Sequence, residues 1–159
     1  MKSLLVSIII VISLNSLVTA QVRVYKGTSS YSSDVICTVE DSEVFKKNSS
    51  YSSDIICHVD GDMVYKGTST YSSDVLFSIT DGKVYKGTSS YSSDILWTIT
   101  DGKIYSGTSS YSSDIVAIVK DNEVYNGSSN YRSDILFTFD GNLTIQEFVA
   151  VWYAVKFFY

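Results

Sequence analysis

The sequence predicts an all-β protein: a six-copy β-repeat array of 20-residue units with a C-terminal capping α-helix. Three observations carry this prediction. The motif Tyr-x-Ser-Asp recurs every 20 residues without insertion or deletion, apolar and polar residues alternate within each copy, and the segment 144–159 changes to helical spacing. A period of two residues is typical of β-strands, whereas a fixed longer period indicates a repeat architecture.

The first twenty residues differ from the rest of the chain. Lys2 gives a positive start, Leu4 to Leu17 is mostly apolar, and the small residue Ala20 ends the segment. This pattern is typical of a cleavable secretory signal peptide, and the apolar run is shorter than the roughly 20 residues of a membrane span. We therefore expect residues 1–20 to be a signal peptide and the protein to be secreted or to lie in the periplasm or cell envelope. An uncleaved anchor is the alternative.

The repeat domain is predicted over residues 21–143, and its best-formed copy shows the unit clearly. Asp101-Gly102 is typical of a two-residue hairpin turn, which would pair Ile99 with Ile104. One predicted face then holds Ile95, Trp97, Ile99 and Ile104. The opposite face holds Leu96, Thr98 and Tyr105. Each copy is thus a strand, a tight turn, a second strand and a polar connector rich in Gly, Thr and Ser.

Two architectures fit such a unit. Each copy could form one rung of a β-solenoid, so that equivalent residues stack about 4.8 Å apart. Alternatively, six hairpins could lie side by side as an extended sheet or a closed ring, which the Asp-Gly turns favour. The strict period argues against a closed trefoil or propeller, because hairpins with different roles in a trefoil would differ in their alternation.

One row of aspartates occupies a single phase of the repeat. Its members are Asp34, Asp54, Asp74, Asp94, Asp114 and Asp134. We expect each carboxylate to close an Asx-type turn through local backbone hydrogen bonds. A calcium ladder is the alternative, but the glycine-rich nonapeptide that binds Ca²⁺ in β-rolls is absent from the sequence. We therefore predict no metal site and no cofactor.

The two cysteines also share one phase, in adjacent copies. Cys37 and Cys57 stand where other copies have aromatic residues or alanine, so both are predicted to face inward. If the copies are neighbouring rungs, the Cα atoms would lie about 4.4–6.8 Å apart, within the range of a disulfide. Two buried free thiols are the alternative.

The end of the chain changes from strand to helix. Thr144-x-x-Glu147 is a capping-box sequence, and Phe148, Val151, Trp152 and Val155 follow at helical spacing. We expect this helix, residues 144–159, to cover the open end of the array, which would otherwise expose unpaired strand edges. A dimer contact or a peripheral membrane contact is the alternative use of its apolar surface.

The sequence offers few residues that could form a catalytic or metal-binding site. The net charge of −5 excludes a basic nucleic-acid binder, and one histidine cannot supply a His-rich metal cage. His58 and Asp60 lie near many serines, but no nucleophile elbow or phosphate-binding glycine loop accompanies them. The repeated aspartates share equivalent environments, whereas an acid and base pair needs two different ones. We therefore predict no enzymatic activity.

Binding is the more plausible activity. A row of tyrosines accompanies the glycine phase of the repeat and could engage a sugar or an extended partner together with the Ser and Thr rows. Its members are Tyr65, Tyr85, Tyr105 and Tyr125. The alternative is that these rings only pack across strands and cover the glycines. The predicted partner is an unknown protein or glycan.

Two resemblances complete the prediction. The segments Asp81-Gly-Lys-Val-Tyr-Lys-Gly87 and Asp101-Gly-Lys-Ile-Tyr-Ser-Gly107 resemble half of a MORN repeat, which implies scaffold or lipid-surface roles. The whole unit, with its signal and terminal helix, is similar to uncharacterised secreted repeat proteins of Gram-negative bacteria, a resemblance that implies no activity. We predict an exported, non-enzymatic repeat protein with a structural or protein-interaction surface, or alternatively a carbohydrate-binding module.

Overall fold

The computed structural model describes residues 21–158; the predicted signal peptide lies outside them. The strands are β1 (Val22–Lys26), β2 (Val35–Glu40), β3 (Glu43–Lys46), β4 (Ile55–Asp60), β5 (Met63–Lys66), β6 (Val75–Thr80), β7 (Lys83–Lys86), β8 (Ile95–Thr100), β9 (Lys103–Ser106), β10 (Ile115–Lys120), β11 (Glu123–Asn126) and β12 (Ile135–Phe139). One α-helix, α1 (Ile145–Phe158), follows them. A single 3₁₀ turn precedes each even-numbered strand, at Ser32–Asp34, Ser52–Asp54, Ser72–Asp74, Ser92–Asp94, Ser112–Asp114 and Arg132–Asp134.

The hairpin prediction is confirmed at the turns. Ile99 pairs with Ile104 and Thr100 with Lys103, as expected from a two-residue loop at Asp101-Gly102. Both loop residues have positive φ, 50° and 71°, as a type I′ turn requires. A Cβ atom at Gly102 would lie 2.7 Å from the Val119 carbonyl oxygen of the next hairpin, so glycine also permits close packing of neighbouring turns.

The twelve strands form a closed antiparallel barrel. The β-solenoid alternative is therefore wrong, and the alternative of six hairpins side by side in a closed ring is confirmed. Every strand pairs with its neighbours in the chain, and β1 pairs with β12. Within the barrel, β1 is the second strand of a unit and β12 is the first strand of a unit. These two half-units pair Val24 with Phe139 and Lys26 with Phe137, the register used within the other hairpins. Six equivalent hairpins therefore close a ring without any difference in role.

The predicted faces need one correction. In β8, Trp97 pairs with Val84 but Ile95 pairs with Tyr85, because a β-bulge at Leu96 shifts the register. Leu96 consequently packs towards the core with Trp97, and Ile95 lies on the outer face with Tyr85. Sequence alternation alone placed Ile95 inside and Leu96 outside. A bulge adds one residue to a strand and therefore reverses the alternation on one side of it.

Helix α1 lies in the barrel lumen and does not cover an open end. Its Trp152 contacts Trp97 of β8 and Phe137 of β12, and its Tyr153 contacts Phe77 of β6, so strands on different sides of the barrel surround it. The prediction of a repeat array completed by a C-terminal helix therefore fits the structure, although ring closure places that helix inside the barrel and leaves no unpaired strand edge for it to cover. Within residues 21–158, no helix is long and apolar enough to span a membrane.

The start of α1 follows the sequence prediction. The Glu147 carboxylate accepts hydrogen bonds from the Thr144 backbone N–H (2.9 Å), and the Thr144 hydroxyl accepts one from the Glu147 N–H (3.2 Å). These reciprocal bonds form a capping box, which satisfies two of the otherwise unpaired donors at the helix start. The capping-box prediction is therefore confirmed.

Cys37 and Cys57 are free, buried thiols, and the proposed disulfide has no place in this topology. Cys37 lies on β2 and Cys57 on β4, with β3 between them. Two strand spacings separate the Cα atoms by roughly 9–10 Å, beyond the reach of a disulfide. Burial raises the pKa of the Cys37 thiol to about 12. The pKa of the Cys57 thiol is also raised, mainly by burial and to a smaller extent by the nearby Cys37.

Candidate functional site

The connectors between hairpins all emerge at the end of the barrel opposite the tight turns. After β9 the chain bends at Gly107, whose φ is 57°, and folds back against the outer face of its own hairpin. There the Thr98 hydroxyl donates to the Gly107 carbonyl oxygen (2.7 Å), and in another hairpin His58 Nδ1–H donates to the Gly67 carbonyl (2.7 Å). The connectors are thus anchored to the barrel wall.

Each connector contains the same set of three hydrogen bonds. In the third connector, the Ser69 hydroxyl donates to Asp74 Oδ2 (2.5 Å) and accepts a bond from the Tyr71 N–H (3.3 Å). The Asp74 N–H donates to the Tyr71 carbonyl oxygen (2.9 Å) and closes the 3₁₀ turn. All six copies repeat these contacts, with Ser-to-Asp distances of 2.5–2.6 Å. The tyrosine between the two partners therefore has a fixed backbone.

This bonding presents one tyrosine per connector to solvent. Its backbone angles vary little between copies, with φ from −87° to −81° and ψ from 136° to 142°. The side chains are 72–74% exposed, far more than other large apolar residues of the described chain. We call this set the tyrosine ring: Tyr31, Tyr51, Tyr71, Tyr91, Tyr111 and Tyr131. It is the candidate interaction site.

The tyrosines singled out from the sequence occupy a different position. Tyr65, Tyr85, Tyr105 and Tyr125 lie on the outer face of the second strands and pair across the hairpin with His58, Ser78, Thr98 and Ile118, respectively. Tyr105 is buried and the other three are half-buried. Tyr65 stacks on His58 with 5.3 Å between ring centroids, and the hydrogen bond with Glu123 raises the pKa of Tyr125. These rings form a packing layer beneath the connectors.

The aspartate row is brought to the connector end, but its members do not form a shared cluster. Each carboxylate accepts a hydrogen bond from the hydroxyl of the serine five residues earlier, so a serine hydroxyl holds the turn in place of the backbone donors expected of an Asx-type turn. Within residues 21–158, no group of three or more His, Cys, Asp or Glu side chains is arranged to hold a metal ion. The geometry gives these aspartates a role in fixing the connectors.

His58 is placed away from any Ser-His-Asp geometry in the described part of the chain. Its Nδ1–H donates a hydrogen bond to the Gly67 carbonyl oxygen, and its ring stacks on Tyr65. The same phase holds Thr98 and Thr38 in other copies, and their hydroxyls make equivalent bonds to connector carbonyls. His58 thus docks a connector.

Sequence reasoning used the tyrosine ring only to align the copies and missed its exposure. The signal was present: in each copy this tyrosine stands inside a polar connector, outside both apolar strands. A large ring with no apolar neighbours in sequence has no strand face to bury it. The half-buried tyrosines, by contrast, alternate regularly with strand residues.

Comparison with known proteins agrees with this architecture. No curated protein and no solved structure matches the chain significantly. The sequence profile of a family described as 6-fold beta flower protein matches residues 24–152, which include the barrel from β2 to β12 and the first half of α1. This match covers most of the chain and supports a tandem-repeat β protein. The chain therefore belongs to the 6-fold beta flower family.

Proposed function

We propose that this protein is an exported, non-enzymatic repeat protein that binds a protein partner through the tyrosine ring. The repeat β-flower fold by itself suggests a structural protein. The observation that carries the binding proposal is the ring: six tyrosines with matching backbone angles, each 72–74% exposed. A side chain of this size would be shielded if its only role were packing.

The chemistry of tyrosine suits an interaction surface. It supplies a large apolar ring and a hydroxyl at a low cost in side-chain entropy, and it is enriched at protein interfaces. The serine and aspartate bonds fix the backbone before a partner arrives, so little ordering of the connectors remains to be paid on binding. Six equivalent contacts also allow avidity if the partner is itself repetitive.

The proposal is tested by removing the ring and leaving the barrel intact. The full-length native protein and a variant with all six ring tyrosines changed to serine are used to capture proteins from the envelope fraction of cells that express the protein. Each exposed change should alter the free energy of unfolding by no more than about 0.5 kcal/mol, so both proteins should fold. We expect the native protein to retain a specific partner and the variant to lose it.

A matched control changes the adjacent exposed serines to alanine: Ser32, Ser52, Ser72, Ser92 and Ser112. This variant should retain the partner. A variant with Tyr31, Tyr71 and Tyr111 changed to serine should lose much more than half of the apparent affinity, because avidity depends steeply on the number of contacts. Equal capture by the native protein and the six-tyrosine variant would show that the ring is not the binding surface.

Carbohydrate binding is the second candidate, and it is favoured by the hydroxyl groups that flank five of the six ring tyrosines. A sugar could stack on the ring of Tyr91 while Ser90 and Ser92 offer hydrogen bonds. Saturable binding on a glycan array that is lost in the six-tyrosine variant would support this candidate. Loss in a Tyr85→Ala and Tyr105→Ala variant, with the ring intact, would instead assign the sugar to the outer-face row.

Export is tested separately. We expect the protein to be recovered from the periplasm, envelope or medium with Gln21 as its first residue, because the sequence before it is typical of a signal peptide. Cell fractionation followed by intact-mass measurement gives both answers. Recovery of the full chain in the cytoplasm would contradict export.

A further inference from the structure

The barrel lumen is filled unevenly. Helix α1 packs against β2 to β5, where Ile36 and Ile56 are 6% and 4% exposed. The residue at the same phase on the far side, Leu136 of β12, is 38% exposed. Helix α1 packs mainly against β2 to β5, and although Phe148 and Trp152 reach Phe137 of β12, Leu136 on the same strand remains partly uncovered.

A cavity of about 570 Å³ opens on that side, at the connector end of the barrel. Its walls are largely apolar and include Val116, Leu136 and Phe137 from the strands, with Trp152 and Val155 from α1. A second hollow of about 300 Å³ adjoins it and shares Leu136 and Val155. Small-molecule sites usually have volumes of about 300–1,000 Å³ and apolar walls with a few polar groups.

One wall residue carries an unused hydrogen-bond donor. Trp152 Nε1 is buried and has no hydrogen-bond acceptor among the described residues. Indole N–H groups in protein interiors usually find a partner, so an orphaned one calls for an explanation. Because Trp152 is also one of the residues that line the cavity, an oxygen atom of a molecule bound there could accept from this donor.

Positive charge surrounds the two hollows. Lys156 lines the larger one, and Lys26 and Lys47 line the smaller one. Their lining includes a single carboxylate, that of Asp34, which already accepts the Ser29 hydroxyl at 2.6 Å. Three lysines against one engaged carboxylate stand out in a chain of net charge −5. The local field therefore favours an anion.

We propose that the cavity binds an anionic amphiphile, a molecule with an apolar chain and a carboxylate head. Trp152 and Lys156 are four residues apart and therefore lie on one face of α1, so one carboxylate can accept from both side chains. The apolar chain covers Leu136 and Val155. This site lies between α1 and the barrel wall and is independent of the tyrosine ring and of the function proposed for it.

Titration with dodecanoate below its micelle concentration tests the proposal. The full-length protein is titrated in a calorimeter, and tryptophan fluorescence is followed in parallel. We expect one saturable site, with a change in fluorescence because Trp152 gains a partner. Dodecanol, which has the same chain without the charge, should bind about tenfold more weakly, as expected for loss of one charged hydrogen bond.

Two substitutions and a control locate the site. Lys156→Gln removes an exposed charge, leaves folding undisturbed and should weaken dodecanoate binding about tenfold. Trp152→Phe should abolish the fluorescence response and weaken binding, with thermal unfolding used to verify the fold. Lys103→Gln makes the same charge change at an exposed residue beside the Asp101-Gly102 turn, at the end of the barrel opposite the cavity, and should bind as the native protein does. Absence of saturable binding, or equal weakening by both lysine variants, would overturn the proposal.

An experiment with vesicles distinguishes a free amphiphile in solution from a membrane surface as the source of the ligand. The native protein is mixed with vesicles that contain phosphatidylglycerol, with and without dodecanoate. Binding of dodecanoate without sedimentation on vesicles supports a cavity for single free molecules. Sedimentation on vesicles without binding of free dodecanoate would contradict the cavity site and assign the lysines to a membrane surface.

Discussion

The outer connectors of this barrel are nearly identical in all six copies, whereas the side chains of the inner lumen differ from copy to copy. On the outside, every copy keeps the same serine, tyrosine and aspartate contacts, and the tyrosines differ by only two percentage points in exposure. Inside, one phase of the repeat holds six positions with very different side-chain volumes: Cys37, Cys57, Phe77, Trp97, Ala117 and Phe137. The connectors repeat because their bonds are local to each copy. The lumen varies because one helix cannot offer the same surface to six strands.

The largest expected effect is the removal of α1. A chain that ends at Asn142 would leave the apolar lumen of the barrel without its filling. We expect loss of cooperative unfolding and insoluble protein, measured by circular dichroism and by the soluble fraction on expression. Thr144→Ala, which removes one cap bond at a cost of about 1 kcal/mol, should still fold and serves as the control. A soluble, cooperatively folding truncated chain would show that the wall is stable alone.

The next effect concerns a single lumen side chain. Phe137 is fully buried and contacts Phe148 and Trp152 of α1. Phe137→Ala should lower the free energy of unfolding by about 3–5 kcal/mol, since it removes buried apolar surface and leaves a cavity. Urea denaturation measures this change. Tyr131→Ala, an aromatic truncation on the outside, should cost less than about 0.5 kcal/mol, and similar costs for the two variants would erase the contrast between lumen and connectors.

A pH dependence distinguishes the buried thiols from the rest of the molecule. Folding raises the pKa of Cys37 from 9.0 to about 12, so the folded state holds a proton that the unfolded state releases above pH 9. The contribution of this thiol to the free energy of unfolding is therefore fully present below pH 9. It falls by about 1.4 kcal/mol per pH unit as the pH rises from 9 towards 12. Cys37→Ala should reduce the slope of unfolding free energy against pH, and Ala117 shows that alanine fits this phase. An unchanged slope would contradict a buried, protonated Cys37.

The smallest effect belongs to one connector. Ser69→Ala and Asp74→Ala should each cost about 1 kcal/mol, and the double variant should cost little more than either, because both remove the same hydrogen bond. The pair Ser89 and Asp94 should give the same result in the next copy. Thermal or urea unfolding of the two double-mutant cycles measures this equivalence. Additive costs in either cycle would show that the serine and aspartate act separately.

The exposure of the tyrosines and the cavity beside Trp152 were not predicted from the sequence. The tyrosine phase was visible, but alternation favoured Tyr85, whose neighbours are strand residues, over Tyr91, which lies in a connector. Burial of Tyr85 results from its cross-strand pair and from the folded-back connector, contacts that depend on a left-handed glycine bend. The cavity beside Trp152 had no sequence signal, because it results from the off-centre position of α1.

The sequence alone determined the strands, the type I′ turns and the capping box of α1, because each depends on residues close together in the chain. Tertiary structure decided closure of the barrel, the bulges that turn Leu96 inward, the separation of Cys37 from Cys57 and the lumenal position of α1. These features depend on contacts between distant residues, and the pairing of β1 with β12 joins the two ends of the repeat. Once that pairing closes the ring, the array has no open edge, and the apolar helix is buried at its centre.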